Sequence, residues 1–195
     1  PFNLDAYPET PGPLLEGDPS YERYAVTADG VSPRVVPGTS NALVVADSDE
    51  HTPDGHITED HGVRVSLNNK RLKKGQGLAR ETLPPERYEE DDPERLLVCW
   101  GSTLGPAREA AQLLSSRDKK TGVLHFAQVW PLDPEQFLPA LEAAGEVVFV
   151  EGNATGQFAD LVSQQTGFVP DHKVLRYDGL PFTARYIATA VEQSQ

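Results

Sequence analysis

Four apolar runs mark the second half of the chain. Within each run, successive residues are mostly apolar instead of alternating with polar ones. A run of this kind is typical of a strand that is covered on both faces of a sheet, because both rows of its side chains are then buried. The runs predict four strands, near residues 96–100, 123–129, 147–151 and 173–177.

Helical patterns lie between these strands. Apolar residues recur with the i, i+3, i+4, i+7 spacing of a helix face at 107–114, 137–141 and 158–162. Residues 133–135 supply an N-cap, a proline and an early acid, and Gly145 is expected to end the helix that they start. Strand and helix therefore alternate, which predicts a three-layer α/β/α fold with a mostly parallel sheet and right-handed crossovers.

The first half of the chain is richer in turns, because many of its 17 prolines precede Pro93. We interpret residues 1–20 as a linker, residues 21–92 as an extended connecting arm, and residues 93–195 as the α/β domain. Short apolar pieces between turn pairs predict short strands within the arm, at residues 24–26, 35–36 and 43–45.

The arm also contains one helical pattern, at residues 62–80, where Leu67 is among the apolar positions. Gly75 and Gly77 are expected to limit the length of this helix, because glycine is a poor helix former. Residues 81–93 are strongly acidic and are interpreted as an exposed connector to the domain.

Composition narrows the class of protein. The chain has 195 residues, 38% of them apolar, which suffices for one α/β core. Thirty acidic and 17 basic residues give a net charge of −13, which disfavours nucleic acid and anionic membranes as partners. A local exception is the basic run at 70–74, interpreted as a solvated helix face with an anion site as the alternative. No apolar run approaches the roughly 20 residues of a membrane helix, so we expect a soluble chain without membrane contact.

Cys99 is the only cysteine and lies within an apolar run, where a buried structural thiol is expected. One cysteine permits neither an internal disulfide nor a cluster site built from cysteines, and it fits a reducing, cytoplasmic setting. The chain has no methionine and opens on Pro1, so we interpret it as part of a longer protein or as a processed product.

Two strand-to-helix turns could carry chemistry. Gly101, Ser102 and Thr103 follow the first predicted strand, and Glu151 and Asn153 follow the third. Free N–H groups at the start of a helix can face an anion. Because the two strands are expected to be neighbours, we predict a shared anion or interface site, of Gly101, Ser102, Thr103 and Asn153, at the carboxyl edge of the sheet. The simpler interpretation is that these side chains only cap turns and helices.

Residues 47–61 concentrate three of the five histidines among six carboxylates. Imidazole and carboxylate groups bind zinc or iron, but no spacing that is specific for a metal site is present. We interpret the segment as an acidic surface loop and predict no metal, with a metal site as the alternative. No catalytic motif occurs elsewhere, so we predict no catalytic residue in this chain.

Several stretches, in this order, resemble the alpha subunits of 2-oxoacid:ferredoxin oxidoreductases, particularly the 2-oxoglutarate type. They are Gly30-Val31-Ser32-Pro33-Arg34, Pro37-Gly38-Thr39, Asp49-Glu50-His51, Asp54-Gly55-His56-Ile57-Thr58-Glu59-Asp60, Gly101-Ser102-Thr103, Val150-Glu151-Gly152-Asn153-Ala154-Thr155-Gly156-Gln157 and Tyr177-Asp178-Gly179-Leu180-Pro181-Phe182-Thr183. The chain departs from relatives at Gly152, where another polar residue is frequent, and at Gly75 and Gly77, which interrupt a helix.

The resemblance covers the connecting arm and a domain similar to the C-terminal domain of transketolase, whose usual role is packing and subunit assembly. It implies a parent enzyme that decarboxylates a 2-oxoacid, 2-oxoglutarate being expected, on thiamine diphosphate with magnesium. Iron–sulfur clusters would pass electrons to ferredoxin, and an acyl-CoA would form from coenzyme A.

By the same resemblance, the partners would be the beta subunit and the other subunits of the enzyme. We expect this chain alone to bind none of these cofactors and to be inactive. The alternative, from a different class, is a stand-alone acidic binding module whose 47–61 loop holds a metal.

Overall fold

The computed structural model describes residues 19–38 and 40–194. Most of the linker predicted at 1–20 and Thr39 of the resemblance therefore lie outside the described residues. The chain divides into two compact units, one ending at Arg80 and the other beginning at Glu81. The second unit thus starts earlier than the domain start that the sequence suggested, at 93.

The second unit contains five strands and four α-helices. The strands are β1 (Glu86–Tyr88), β2 (Arg95–Trp100), β3 (Thr121–Phe126), β4 (Glu146–Glu151) and β5 (His172–Leu175). The first unit contributes helix α1 (His61–Ala79), and the helices of the second unit are α2 (Leu104–Ser115), α3 (Leu138–Ala143), α4 (Gln157–Thr166) and α5 (Ala184–Gln193). Short 3₁₀ turns occupy Gly101–Thr103 and Pro134–Gln136.

The strands form one sheet in the order β1-β3-β2-β4-β5. Strands β3, β2, β4 and β5 are parallel to their neighbours, and only β1 is antiparallel, to β3. Helices cover both faces, which confirms the predicted mostly parallel three-layer α/β/α fold. The carboxyl ends of four strands therefore lie along one edge of the sheet.

The core consists of two apolar clusters, one on each face of the sheet. On one face α2 and α5 pack on the strands, with Leu97, Val148 and Ile187 at its centre. On the other face α3 and α4 cover Val98 and Phe149. Because alternate residues of β2 and β4 point to opposite faces, both rows of side chains are buried, which explains the continuous apolar runs.

Three of the four predicted strands match the structure closely, and the second was placed too far along the chain. Strand β3 ends at Phe126, whereas the sequence extended it to 129. The segment that follows contains a bend and the cis peptide bond between Trp130 and Pro131, and its apolar residues are not paired in the sheet.

The interpretation of 81–93 as an exposed connector was wrong at one place, because β1 joins the sheet there. Glu86 pairs with His125, and Tyr88 pairs with Val123. As an edge strand with a polar sequence, β1 shows no hydrophobic run that could have indicated it. Residues 133–135 begin the 3₁₀ turn rather than α3, with the Asp133 side chain accepting from the Glu135 N–H, and α3 ends at Ala143, before Gly145.

In the first unit, the predicted short strands of the arm are absent from the residues that the structure describes. Residues 19–38 and 40–60 are extended and turn segments, with an isolated bridge between His51 and Ile57. Among the described residues, none of these pieces belongs to a ladder of paired strands, and Arg34, next to the piece at 35–36, is a single bridge residue. The backbone is instead joined by single contacts, such as the 2.8 Å hydrogen bond from the Tyr24 N–H to the Pro53 carbonyl.

Helix α1 confirms the predicted helix at 62–80, but it is not shortened by its glycines. It runs through Gly75 and Gly77 to Ala79. Each glycine costs about 1 kcal/mol relative to alanine, and the Asp60 side chain offsets part of this by accepting a 2.8 Å bond from the Val63 N–H at the start of the helix. Within the described residues, no helix is long and apolar enough to cross a membrane.

Candidate functional site

The carboxyl edge of the sheet brings the two predicted turns together. Strands β2 and β4 are parallel neighbours, with Cys99 paired to Val150, so Trp100 and Glu151 end them side by side. The Trp100 Nε1 lies 3.5 Å from Glu151 Oε2, at the limit of a hydrogen bond. The expected proximity of the Gly101 and Glu151 turns is therefore confirmed.

Glu151 is fully buried, and its carboxylate is held by the start of α4. Its Oε2 accepts a 2.9 Å bond from the Phe158 N–H, and its Oε1 accepts a 2.9 Å bond from the Ala159 N–H. The Asn153 amide donates a further 2.8 Å bond to Oε2. A helix N-terminus carries partial positive charge and unpaired N–H groups, so it can stabilise a buried carboxylate without a cationic side chain.

Asn153 takes up the remaining N–H groups of the same turn. Its Oδ1 accepts from the backbone N–H of Gly156 at 2.7 Å and of Thr155 and Gln157 at 3.2 Å each. Gly156 has φ +74°, and a Cβ there would lie 2.7 Å from the Lys173 side chain, so the turn requires glycine. The capping interpretation of Asn153 is confirmed, and no capping bond is made by the Thr155 side chain in the described structure.

The start of α4 is thus occupied by groups of the protein itself. The N–H groups that could have faced an external anion bond to Glu151 and Asn153. The predicted anion or interface site also includes the turn at Gly101–Thr103. In the described structure, no side-chain cap is bonded to the N–H groups of this turn. A role for Gly101, Ser102, Thr103 and Asn153 in ligand binding or assembly stays a prediction.

A residue that sequence reasoning missed fixes the first turn. His125 on β3 is buried, and its Nε2 lies 3.0 Å from the carbonyl oxygen of Gly101. A proton on Nε2 would donate to that carbonyl and hold the Gly101 turn, whose φ is +56°, against the neighbouring strand. The only signal in the sequence was a histidine within an apolar run.

Large apolar side chains are exposed along the same edge. Both tryptophans of the chain belong to this group, Trp100 at 37% exposed and Trp130 at 58% exposed. Tyr177 and Leu180, in the segment after β5, are 73% and 63% exposed. Aromatic side chains are enriched at the centre of protein interfaces, so their exposure after the ends of strands is consistent with a surface that a partner covers.

The opposite, amino edge holds a buried charge of the other sign. Arg95 at the start of β2 is 1% exposed, and its Nε donates a 3.1 Å bond to Glu146 on β4. Its Nη2 lies 3.3 Å from Asp118, and Lys119 binds the same Glu146 oxygen at 2.9 Å. These side chains join the loop before β3 to two neighbouring strands, which is a structural role.

The described residues do not fit the metal and cluster cofactors of the resembling family. Cys99 is the only cysteine of the chain and is buried in the core, whereas an iron–sulfur cluster is held by several cysteine thiolates. Within the described residues, no three His, Cys, Asp or Glu side chains converge as a metal site would require.

The loop at 47–61 lies entirely within the described residues, so the metal alternative for it loses its support. The His51 ring stacks on Tyr24 with ring centroids 3.7 Å apart, and the His56 Nδ1 lies 3.1 Å from an Asp54 oxygen. His61 is the first residue of α1. The imidazoles of His51 and His56 thus make separate local contacts.

Comparison with known protein families decides the identity of the second unit. The model of the C-terminal domain of transketolase matches residues 87–194. This chain belongs to the transketolase C-terminal domain family. The match begins within β1 and ends at the close of α5, so it covers the whole sheet with its helices and confirms the fold that the resemblance implied.

Relatives of this transketolase C-terminal domain protein confirm the suspected resemblance. It is 31% identical to the alpha subunit of 2-oxoacid:ferredoxin oxidoreductase 1 from Sulfurisphaera tokodaii, over 93% of this chain. It is also 31% identical to the alpha subunit of 2-oxoacid:ferredoxin oxidoreductase 2 from Aeropyrum pernix, over 95% of this chain. The chain spans 29% of the length of each of these relatives.

A solved structure resembles nearly the whole chain. The 2-oxoglutarate:ferredoxin oxidoreductase from Magnetococcus marinus, with 2-oxoglutarate, coenzyme A and succinyl-CoA bound, is 27% identical with a TM-score of 0.71. The likeness covers 93% of this chain and 32% of that one. It therefore extends beyond the transketolase C-terminal domain into the first unit.

Proposed function

We propose that this chain is the C-terminal part of the alpha subunit of a 2-oxoacid:ferredoxin oxidoreductase that acts on 2-oxoglutarate. The relatives from Sulfurisphaera tokodaii and Aeropyrum pernix support the enzyme class, since each aligns with over nine-tenths of the chain. The likeness to the Magnetococcus marinus enzyme supports 2-oxoglutarate as the substrate.

Within that enzyme, the chain has a structural role in assembly. The observation that carries this proposal is the exposure of both tryptophans at the carboxyl edge, beside a helix start that Glu151 and Asn153 already fill. The N–H groups at the start of α4 are already hydrogen-bonded and are not available to a ligand. Covering the exposed side chains of Trp100 and Trp130 with another protein surface would be favourable, because it removes apolar area from water. The proposed partners at this edge are the beta subunit and the other parts of the oxidoreductase.

The cofactors of the proposed enzyme are thiamine diphosphate, magnesium, iron–sulfur clusters and coenzyme A, and other parts of the enzyme hold them. They would supply the decarboxylation, electron transfer to ferredoxin and acyl-CoA formation. A cytoplasmic location belongs to the proposal, and the free thiol of Cys99 is consistent with it.

Reconstitution tests this function. The purified chain, supplied with 2-oxoglutarate, thiamine diphosphate, magnesium and coenzyme A, is expected to reduce neither ferredoxin nor a viologen dye above a buffer control. An oxidoreductase assembled from all its subunits is expected to turn over, and one that lacks residues 81–195 is expected to lose assembly and activity together. Turnover by the chain alone, or full activity without these residues, would contradict the proposal.

A further inference from the structure

Strand β1 is the shortest strand of the sheet and lies at one end of it. It has three residues, of which Glu86 and Arg87 are charged and exposed. Among the strands that the structure describes, it pairs with β3 alone. Two paired strands of this length are only marginally stable in water without further contacts. The position of β1 on the sheet therefore depends on contacts outside the ladder.

Strand β3, which β1 borders, is buried along its whole length. Its six residues, Thr121–Phe126, include no Lys, Arg, Asp or Glu. Because β1 is the neighbour of β3 on that side, one row of N–H and C=O groups of β3 would have no strand partner if β1 left the sheet. An uncharged edge strand of high β-propensity pairs readily with another chain, and natural proteins protect such edges.

Side chains fasten the end of β1 to helix α2. The carboxylate of Glu89, directly after β1, accepts a 2.8 Å bond from Arg108 Nε at one oxygen and a 2.9 Å bond from Gln112 Nε2 at the other. The guanidinium carbon of Arg108 also lies 4.6 Å from the centre of the Tyr88 ring, which is a cation–π contact. Arg108 and Gln112 are four residues apart and so lie on the same face of α2. The group is called the β1 clasp below and consists of Tyr88, Glu89, Arg108 and Gln112.

The backbone at Glu89 indicates that these contacts are strong. Among the described residues, Glu89 is the only one other than glycine with a positive φ, at +71°. This conformation is unfavourable for a side chain larger than glycine, and it persists where the surrounding contacts impose it. The hydrogen bonds from Gln112 and Arg108 lower the pKa of Glu89, so the carboxylate is ionised at neutral pH and its bonds are charge-assisted.

The segment before β1 is attached to the same unit by neutral bonds. The Leu83 N–H donates a 3.2 Å bond to Gln128 Oε1, and Gln136 Nε2 donates a 3.4 Å bond to the Thr82 carbonyl. Charge-assisted hydrogen bonds are shorter and roughly twice as strong as neutral ones. We therefore expect the β1 clasp to be the stronger of the two attachments of β1.

We propose that the β1 clasp is a latch, which holds β1 on β3 and thereby keeps β3 from pairing with the β3 strand of a second copy of this chain. When the clasp opens, the short ladder and the neutral bonds are the remaining attachments of β1. Two copies of an uncharged strand can then pair without bringing like charges together. The inference does not rest on the proposed function, because all residues involved belong to the second unit.

Hydrogen exchange measured by mass spectrometry tests the clasp. Glu89→Ala and Arg108→Ala each remove one side of it, and each should speed exchange in the peptide 84–90 by about tenfold or more while β2 and β4 keep their rates. Glu109→Ala is the matched control, because Glu109 lies on the same helix, is exposed and makes no ion pair among the described residues. It should change the rate less than about twofold. Exchange in both clasp variants that is no faster than in the control would overturn the proposal.

A charge swap separates loss of the clasp from a general loss of folding. Glu89→Arg combined with Arg108→Glu exchanges the two ends of the ion pair and should bring the exchange rate of the peptide 84–90 back to within about threefold of that of the unsubstituted chain. A swapped pair whose β1 exchanges as fast as in the alanine variants would overturn the proposal.

Sedimentation velocity over a range of concentrations tests the second half of the proposal. The two alanine variants should form dimers or larger species at concentrations at which the unsubstituted chain, the Glu109→Ala control and the swapped pair sediment as single chains. Faster exchange at β1 without any association would overturn the pairing of β3 with a second copy, and with it the role of the β1 clasp as a latch.

Discussion

The two edges of the sheet each bury a charged side chain, and they stabilise it in different ways. At the amino edge Arg95 is 1% exposed and bonds to carboxylates of Glu146 and Asp118. At the carboxyl edge Glu151 is 0% exposed and bonds to backbone N–H groups and an amide. At the amino edge the buried side chain is stabilised by groups of opposite charge, and at the carboxyl edge by the dipoles of N–H and amide groups.

The two edges differ in how many polar atoms of the buried charged side chains have a hydrogen-bond partner. At the amino edge, Arg95 Nη1 and Glu146 Oε1 have no protein partner among the described residues, because side chains from separate segments must meet. At the carboxyl edge, both oxygens of Glu151 accept from consecutive residues at the start of one helix. Local backbone geometry therefore satisfies a buried charge more fully here than tertiary ion pairing does.

The largest effect is expected from Glu151→Ala. It leaves the buried N–H groups of Phe158 and Ala159 without acceptors, which should lower the free energy of unfolding by about 4 kcal/mol. Glu151→Gln, which keeps the size but only one acceptor oxygen, should cost about half as much. Urea unfolding measures both, with Glu135→Ala on the surface as the control. A loss for Glu151→Ala as small as that of the control would contradict the account of this edge.

The amino edge should respond differently to a paired substitution. Arg95→Met leaves Glu146 buried without its main partner and should cost about 3 kcal/mol. Adding Glu146→Leu should restore most of that loss, because an apolar pair of similar volume replaces a buried ion pair at little cost. Urea unfolding of the two single variants and the double variant forms the test. A double variant less stable than both single variants would contradict this prediction, because the apolar pair would then fail to replace the buried ion pair.

A smaller effect is expected at Asn153, which supports Glu151. Asn153→Ala should lower the free energy of unfolding by about 1 to 2 kcal/mol, because three N–H groups lose their acceptor but two of their residues are exposed to water. The neighbouring control Thr155→Ala should change it by less than about 0.5 kcal/mol. If assembly with the other subunits falls by more than this loss explains, Asn153 also belongs to the interface, and equal losses would leave it a capping role alone.

Cys99 lies on β2 between the two edges, and its thiol should not change the free energy of unfolding with pH near neutrality. Its pKa is raised from 9.0 to about 12 by burial, so the thiol is protonated in both folded and unfolded chains at pH 7. Above pH 9 the unfolded chain loses this proton first, so stability should fall by up to about 1.4 kcal/mol per pH unit until the folded pKa is passed. Chemical unfolding at pH 7 to 11 should show this slope relative to Cys99→Ala, and parallel curves would show that the thiol is not held neutral.

Much of the fold could be predicted because its core strands are buried on both faces. Strands β2 and β4 each show an uninterrupted apolar run, and the helix spacing at 107–114 matches the buried face of α2. Strand β1 could not be predicted, since Glu86–Tyr88 is a short polar edge strand. The extent of α1 was predicted to within one residue at each end, but Gly75 and Gly77 do not limit the helix, because both lie within it.

The site was harder to predict than the fold. Glu151 and Asn153 were singled out by their position after a strand, but the donors to Glu151 lie seven and eight residues further along the chain. Their convergence depends on the path of the turn through Gly156, which a sequence pattern does not contain. The second strand was predicted to run to residue 129, directly before Trp130, and the exposure of Trp130 could be seen only once β3 was found to end at Phe126.

The central claim is that the carboxyl edge of this domain is covered in the assembled oxidoreductase. Acrylamide quenching of tryptophan fluorescence tests it directly, with Trp100→Phe and Trp130→Phe variants that each leave one reporter in this chain. We predict that the quenching of Trp130, and to a lesser degree that of Trp100, falls when the chain joins subunits whose own tryptophans have been replaced. Assembly with both tryptophans as accessible as in the isolated chain would contradict the account.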